Sequence, residues 1–577
     1  MPEFKESKLR PGQRFWRLLK PDAPEIRNVY IYSVFNGLVN LSLPLGIQAI
    51  INLIQGGRVS TAWIVLVAFV TVGIAVSGLI TIFQLRITEN LQQKIFARAA
   101  FEFVFRVPRI KLEELYRFHA PELMNRFFDV VTVQKGLPKI LIDFSSAGLY
   151  VIFGLILLSF YHPFFILFSL LLIALVYIIF RITVKKGLRT SLEESKHKYL
   201  LAHWLEEAAR TNMTFKMAGN TDFPIQNSDR HVMSYLQARE SHFKVLVQQY
   251  SLMIFFKVIV ALGLLAIGGV LVMEQLMNIG QFVAAEIIII TVINSVEKLI
   301  LSLETIYDVL TSLEKIGQVT DLELEAIEGI NLEEECKNKG LEVEVNQVTF
   351  SYPDSMVPVL KNINFKADSG QHIVITGKNG SGKSTFMHLL AGLYRVNQGT
   401  ISYNGIPRDN FNLDSLRSEI GGCLIDEDLF EGTLLENITI GRERATFENV
   451  KWAMQGVGLG EFVKTLPQGY DTILEPLGKK LPRSIVQRLL IARSIADKPR
   501  LLLLEYAFEH LDIAERKKII DFLLDQKNGW TVIAVSNDEY LAKKSDNIGI
   551  MQGGELTHFG PYEKLKQIAN LKMYKDA

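Results

Sequence analysis

The hydrophobic pattern divides the chain into two halves. Apolar runs of about 20 residues recur at 28 to 54, 60 to 85, 139 to 161, 163 to 184, 250 to 273 and 279 to 302, each long enough as helix to cross about 30 Å of hydrocarbon. The pattern therefore predicts six membrane spans. The intervening segments 86 to 138 and 185 to 249 turn polar but keep a helical rhythm, so the helices are expected to project well beyond the bilayer. After 303 the apolar density falls, and DLELEAIEGINLEEECKNKG (321 to 340) is an acidic connector without a sustained pattern. Beyond it LEVEVNQVTFSY, QHIVITG, RLLLLE and TVIAVSN are short β-rich runs separated by helical stretches, the mark of an α/β domain. The expected organisation is a cytosolic N-terminal segment (1–27), a polytopic α-helical membrane domain (28–315), a linker (316–340) and an α/β domain (341–577).

Charge sets the orientation. The short connectors QGGRV (55 to 59), YHP (161 to 163) and EQLMN (274 to 278) hold one basic residue, Arg58, whereas the long segments hold many, among them Arg86, Lys94, Arg98, Arg109, Lys185, Lys186 and Arg189. By the positive-inside tendency both termini and the α/β domain are cytosolic, and the protein is a multi-pass component of a cell (plasma or inner) membrane. The opening MPEFKESKLRPGQRFWRLLK has no continuous apolar core of the kind a cleaved signal needs. The chain of 577 residues is too long for one core and is 49% hydrophobic, and its 62 basic and 61 acidic residues balance, which gives no reason to expect nucleic acid as a partner. Cys336 and Cys423 are the two cysteines, too few for a disulfide framework. Ionisable residues within the predicted spans are functional suspects by position, and Asp143, Lys257 and Glu286 are among them. Lys257 and Glu286 fall at depths about 10 Å apart, so each is expected on a wet inner surface or in a structural contact inside the bundle rather than paired with the other.

In the α/β domain, QHIVITGKNGSGKSTFMHLLAGL carries the P-loop pattern from Gly377 to Ser384, preceded by a strand and followed by a helix. Glycines let backbone N–H groups close around phosphate oxygens, Lys383 reaches the terminal phosphates and the Ser384 hydroxyl suits Mg²⁺. The cofactors expected are ATP and Mg²⁺. The binding set is Gly377, Lys378, Asn379, Gly380, Ser381, Gly382, Lys383, Ser384 and Thr385.

A six-span half followed by this P-loop resembles an ATP-binding cassette (ABC) exporter of the half-transporter type, over essentially the whole chain. FSYPDSMVPVL places Tyr352 where that family stacks an aromatic on adenine, or leaves it an ordinary strand-edge tyrosine. LFEGTLLENI (429 to 438), LPQGYDT (466 to 472) and IARSIADKPRLLLLE (491 to 505) are similar to family segments in the right order. ELMNRFF (122 to 128) and ARTNMTFKMAGN (209 to 220) resemble its motion-transmitting loop tips, or are plain exposed helix ends. The resemblance implies head-to-tail dimerisation, with a second copy or with another ABC half-transporter, and a small-molecule, lipid or peptide substrate. The N-terminus is too short for the peptidase domain of some peptide exporters, so processing of a leader is not expected.

Four elements depart from the family's pattern. Its Asp and catalytic Glu after the leucine run are here Glu505 and Tyr506. Glu505 can still serve the metal, whereas a phenol with a reference pKa near 10 stays protonated and polarises water poorly. The water-sensing glutamine falls on Ile425, with Asp426 beside it as a stand-in. The L-S-G-G-Q signature reads LPRSI (481 to 485), where Pro482 removes a donor and Arg483 replaces a glycine. Asn537 stands at the switch histidine and cannot exchange a proton near neutral pH. The cassette is therefore expected to bind ATP and hydrolyse it slowly or not at all, and no catalytic residue is assigned. This leads to a catalytically impaired exporter subunit working with a partner. The alternatives are an ATP-sensing membrane scaffold without transport, and an unconventional homodimeric exporter.

Overall fold

The computed structural model describes residues 9–55, 61–118, 120–332 and 340–566. Arg58 and Cys336 lie outside the described residues. The chain forms two compact units, Met1–Arg109 with Phe118–Leu322, and Ile110–Arg117 with Glu323–Ala577.

The first unit is helical. A short amphipathic helix α1 (Pro11–Leu19) precedes α2 (Ala23–Gln55), α3 (Thr61–Arg106), α4 (Ala120–Ser159), α5 (Pro163–Arg210), α6 (Phe223–Met273) and α7 (Ile279–Thr320). All of α2 to α7 are long and apolar enough to cross a membrane. The 48 residues of α5 extend about 72 Å, more than twice the hydrocarbon thickness, as its polar second half predicts. Local sequence fixes the starts: Pro163 opens α5 behind a capping His162, and Asn278 with Gln281 forms a reciprocal capping box at α7. At its other end α7 runs to Thr320.

Small and polar residues join these helices, since lipid offers no hydrophobic drive between them. Gly187 of α5 lies against the buried Tyr307 of α7, and a Cβ there would fall 2.4 Å from the ring. Gln249 of α6 donates to the same Tyr307 hydroxyl at 2.7 Å, so one tyrosine ties three helices. Asn40 of α2 donates to Ser77 of α3 at 2.9 Å and to Tyr150 of α4 at 3.0 Å. Of the charges in the spans, Lys257 pairs with Glu297 at 2.7 Å, and Asp143 with Lys298 at 3.2 Å. Glu297 follows Glu286 by eleven residues, about 16 Å farther along the helix, and it is there, not at Glu286, that the Lys257 side chain finds its carboxylate. The Lys257–Glu297 pair is a part-buried contact between helices, whereas the Asp143–Lys298 pair is exposed.

The second unit is built on strands β1 (Val343–Phe350), β2 (Leu360–Ala367), β3 (His372–Gly377), β4 (Gln398–Tyr403), β5 (Ile406–Pro407), β6 (Ile420–Cys423), β7 (Gly432–Thr433), β8 (Ile473–Leu474), β9 (Leu501–Glu505), β10 (Thr531–Val535), β11 (Asn547–Gln552) and β12 (Glu555–Gly560). The central sheet has the order β12-β11-β3-β10-β9-β6 and is parallel from β11 to β6, with β12 antiparallel at its edge. Its core strands read as unbroken apolar runs because both faces are covered. Leu502 and Leu504 enter one apolar cluster and Leu501 and Leu503 the other, following the alternation of a strand. A second sheet, β2-β1-β4-β5, is antiparallel. In the central sheet Val535 is in register with both Ile375 and Glu505. The carboxyl ends of β3, β10 and β9 thus open side by side, where parallel α/β sheets bind ligands.

Candidate nucleotide-binding site

At the end of β3 the chain turns through Gly377 (φ +149°), Gly380 (φ +79°) and Gly382 (φ +95°) into the helix Lys383–Leu390. A Cβ on Gly377 would stand 2.1 Å from the Met551 carbonyl oxygen, so sheet packing as well as the turn demands glycine there. The helix presents its N-terminal N–H groups, and with them positive partial charge, to the loop. Lys383 is buried, and its ammonium donates to the carbonyl oxygens of Gly377 (2.8 Å) and Lys378 (2.9 Å). Burial lowers its pKa, and the carboxylate of Glu505 opposes that shift. The amine is thus held over its own loop by neutral acceptors. Lys378, Asn379 and Gly380 are exposed on the rim and Ser384 is half-buried. The Ser381 hydroxyl is buried with no hydrogen-bond partner among the described residues.

Glu505 ends β9, and one of its oxygens accepts the Ile425 backbone N–H at 3.2 Å. The other, Oε1, is buried and has no hydrogen-bond partner among the described residues, an open acceptor on a residue only 2% exposed. A buried carboxylate oxygen without a donor is costly. Together with the Ser384 hydroxyl it is a hard oxygen set of the kind Mg²⁺ takes, so these residues fit the ion. Ile425 touches Glu505 through its backbone while its side chain is 60% exposed. Asp426 is also exposed and lies 3.8 Å from His388.

Tyr506, the next residue, adopts φ +47°, a left-handed conformation unusual for a bulky side chain. Its ring packs against the apolar cluster that also holds Leu503 and Val535. Burial raises its pKa, and the carboxylates of Glu505 and Glu509 raise it further. The phenol is thereby kept neutral and is no substitute for a carboxylate base. After β10, Asn537 accepts a hydrogen bond from the Thr376 hydroxyl at 2.8 Å, which uses its oxygen and leaves the amide N–H₂ to donate. Pro482 is the N-cap of the helix Arg483–Ile495 without a side-chain cap, Arg483 is exposed at its first position and Ile485 is buried.

Tyr352 donates to, or accepts from, Thr385 across 2.9 Å, which ties it to the loop helix. Buried Phe350 and Tyr394 meet it edge-on at 5.1 and 5.4 Å. Tyr116 stacks parallel to it, with centroids 5.2 Å apart and planes 13° apart. The segment Ile110–Arg117 is held by further contacts: Glu113 accepts the Arg395 N–H at 2.8 Å, Lys111 pairs with Glu323 at 2.9 Å and Arg117 donates to Asp354 at 2.6 Å. Tyr116 and Thr376 were not legible as site residues. Thr376 carries a signal, a polar residue ending a buried strand just before the P-loop glycine, whereas Tyr116 is 236 positions from Tyr352 in sequence and has none.

Residues 360–508 match the ABC transporter model, and residues 27–296 match the ABC transporter transmembrane region. The chain belongs to the ABC transporter family, as a half-transporter with an N-terminal transmembrane domain fused to one cassette. It is a multi-pass membrane protein with six apolar helices and its cassette on the cytoplasmic side. It is similar to the cyclolysin secretion/processing ATP-binding protein CyaB of Bordetella pertussis, 28% identical over 340 residues, which are 59% of this chain and 47% of that protein. It is also similar to the ABC-type transporter kk1G of Curvularia clavata, 31% identical over 233 residues, 40% of this chain and 17% of that protein. The chain thus matches less than half the length of these curated relatives. The structure of a bacterial Atm1-family ABC exporter with ATP bound shares its fold, with a TM-score of 0.82 over 96% of this chain and 99% of that one at 18% identity.

Proposed function

We propose that this protein is an ATP-binding subunit of an ABC-type exporter of the plasma or inner membrane whose own cassette grips MgATP and hydrolyses it slowly or not at all. The carrying observation is the contrast within one site. The cradle from Gly377 to Thr385 has its full P-loop sequence, with Lys383 buried over it, while the residue at the base position, Tyr506, is partly buried with its ring packed against an apolar cluster. Phosphoryl transfer depends mostly on positioning and charge stabilisation, so losing the groups that orient water costs rate far more than affinity. Ser384 and Glu505 would hold Mg²⁺, which neutralises phosphate charge when bound, and Asn537 can donate to a terminal phosphate. The subunit pairs with a second half-transporter to move a small-molecule, lipid or peptide substrate.

Steady-state phosphate release by the purified chain, alone and with whatever subunit co-purifies, tests this beside direct ATP binding. Tight binding with negligible release alone and release restored by the partner support the reading. Typical transporter turnover by the chain alone rejects it. Binding without turnover even with the partner favours an ATP-sensing scaffold, a reading to which Pro482 and Arg483 at the signature helix also lend weight.

The Tyr116 ring covers one face of Tyr352, and we take that face to be the one a purine would use. Tyr116→Ala is expected to tighten ATP binding about threefold to tenfold, the worth of one aromatic stack, and to leave inorganic tripolyphosphate affinity unchanged. Competition titrations with the two ligands check this, and weaker ATP binding would mean that the ring closes over the purine instead.

A further inference from the structure

The helical unit has a groove of about 1120 Å³ between α1 and the start of α2. Trp16, Arg17 and Lys20 line it from α1 and the residues after it, and Arg27, Ile31 and Phe35 line it from α2. Trp16 is 64% exposed and Phe35 57%, large apolar surfaces that face outward beside a span.

Polarity is graded along the groove. Ile31 and Phe35 lie one and two helical turns beyond Arg27, about 6 and 12 Å deeper along a helix that crosses the membrane. Arg17, Lys20 and Arg27 cluster at the shallow, cytosolic end, and all three are exposed. None has an ion-pair or hydrogen-bonding side-chain partner among the described residues, because the nearby acids are engaged elsewhere. Asp22 pairs with Arg98 at 2.9 Å, Glu25 with Lys94 at 2.7 Å, and Asp321 with Arg14. Three unneutralised cations above an apolar slot, flanked by an interfacial tryptophan, match the two ends of one kind of molecule.

We propose that this groove is a binding site for an anionic phospholipid of the cytosolic leaflet. Its phosphate and negative headgroup lie among Arg17, Lys20 and Arg27, and an acyl chain runs along Ile31 and Phe35. A zwitterionic lipid fills the slot equally well but brings its own cation to the basic end, so the site discriminates by charge. The proposal is independent of the nucleotide reading.

Native mass spectrometry of the full chain in detergent, titrated with palmitoyl-oleoyl phosphatidylglycerol or with the matching phosphatidylcholine, tests it. One phosphatidylglycerol per chain is expected to be retained at a concentration about tenfold lower than phosphatidylcholine requires. The triple variant Arg17→Gln/Lys20→Gln/Arg27→Gln is expected to lose that preference with ATP binding unchanged. Should the triple variant fail to fold, brominated phosphatidylglycerol added to the wild type is expected to quench the fluorescence that Trp16→Phe removes, and brominated phosphatidylcholine to quench it less. Equal retention of the two lipids, an undiminished preference in the triple variant, equal quenching by the two brominated lipids, or a Trp16 shielded from both by a second copy of the chain would overturn the proposal.

Discussion

Lys383→Ala is expected to weaken ATP binding by about a hundredfold or more. Lys383 is a buried cation at the mouth of the proposed phosphate cradle, and among the described residues its ammonium is satisfied by the Gly377 and Lys378 carbonyls. On the proposed function those neutral acceptors would be exchanged for phosphate oxygens when nucleotide enters. A hydrogen bond between charged groups is worth about 1.5 to 3 kcal/mol, and two of them to a polyphosphate correspond to roughly two decades or more in affinity. Isothermal titration with ATP and Mg²⁺ measures the change, with adenosine as the control, since the Tyr352 side of the site is untouched. Unchanged ATP affinity in a folded Lys383→Ala chain would remove the cradle from the account.

Restoring the missing groups together is expected to give the opposite and larger effect. A chain carrying Ile425→Gln, Tyr506→Glu, Asn537→His and the signature changes Pro482→Ser, Arg483→Gly, Ser484→Gly and Ile485→Gln should hydrolyse ATP about a hundredfold to a thousandfold faster than wild type. Tyr506→Glu alone should gain less than about tenfold. The single change sets a carboxylate where the tyrosine ring packs against apolar neighbours, and burial there favours its neutral form. It also leaves Ile425, whose side chain is apolar and exposed while its backbone N–H serves Glu505. Water can be aimed and the γ-phosphate charge spread only when several such groups act at once, so the gains should be far from additive. Phosphate release by the single and combined variants measures this, and a full recovery from Tyr506→Glu alone would mean that only one element had been lost.

The parts of the fold and site that are contiguous in sequence were legible there. Six spans follow from length and hydropathy, and the loop from Gly377 to Thr385, which we propose as the phosphate cradle, could be placed between a strand and a helix because its nine residues are consecutive. Glu505 was legible as a polar end to a leucine strand. What escaped depends on three-dimensional register. Lys257 meets Glu297 because of helix depth and facing, which no local pattern encodes. Ile425 contributes a backbone N–H, invisible to a reading of side chains. The Tyr116 stack on Tyr352 joins segments far apart in sequence, and the Thr376–Asn537 hydrogen bond needs β3 and β10 to be neighbours.

The central claim is tested most directly by the chemical identity of the nucleotide that the wild-type chain holds. The purified full-length protein is incubated with MgATP for minutes, separated rapidly from free nucleotide, and its bound fraction resolved by ion-exchange chromatography. Intact ATP at near one equivalent per chain, absent in Lys383→Ala, is the result expected of a cassette that grips without cleaving. Bound ADP with stoichiometric phosphate released on the same timescale would contradict it.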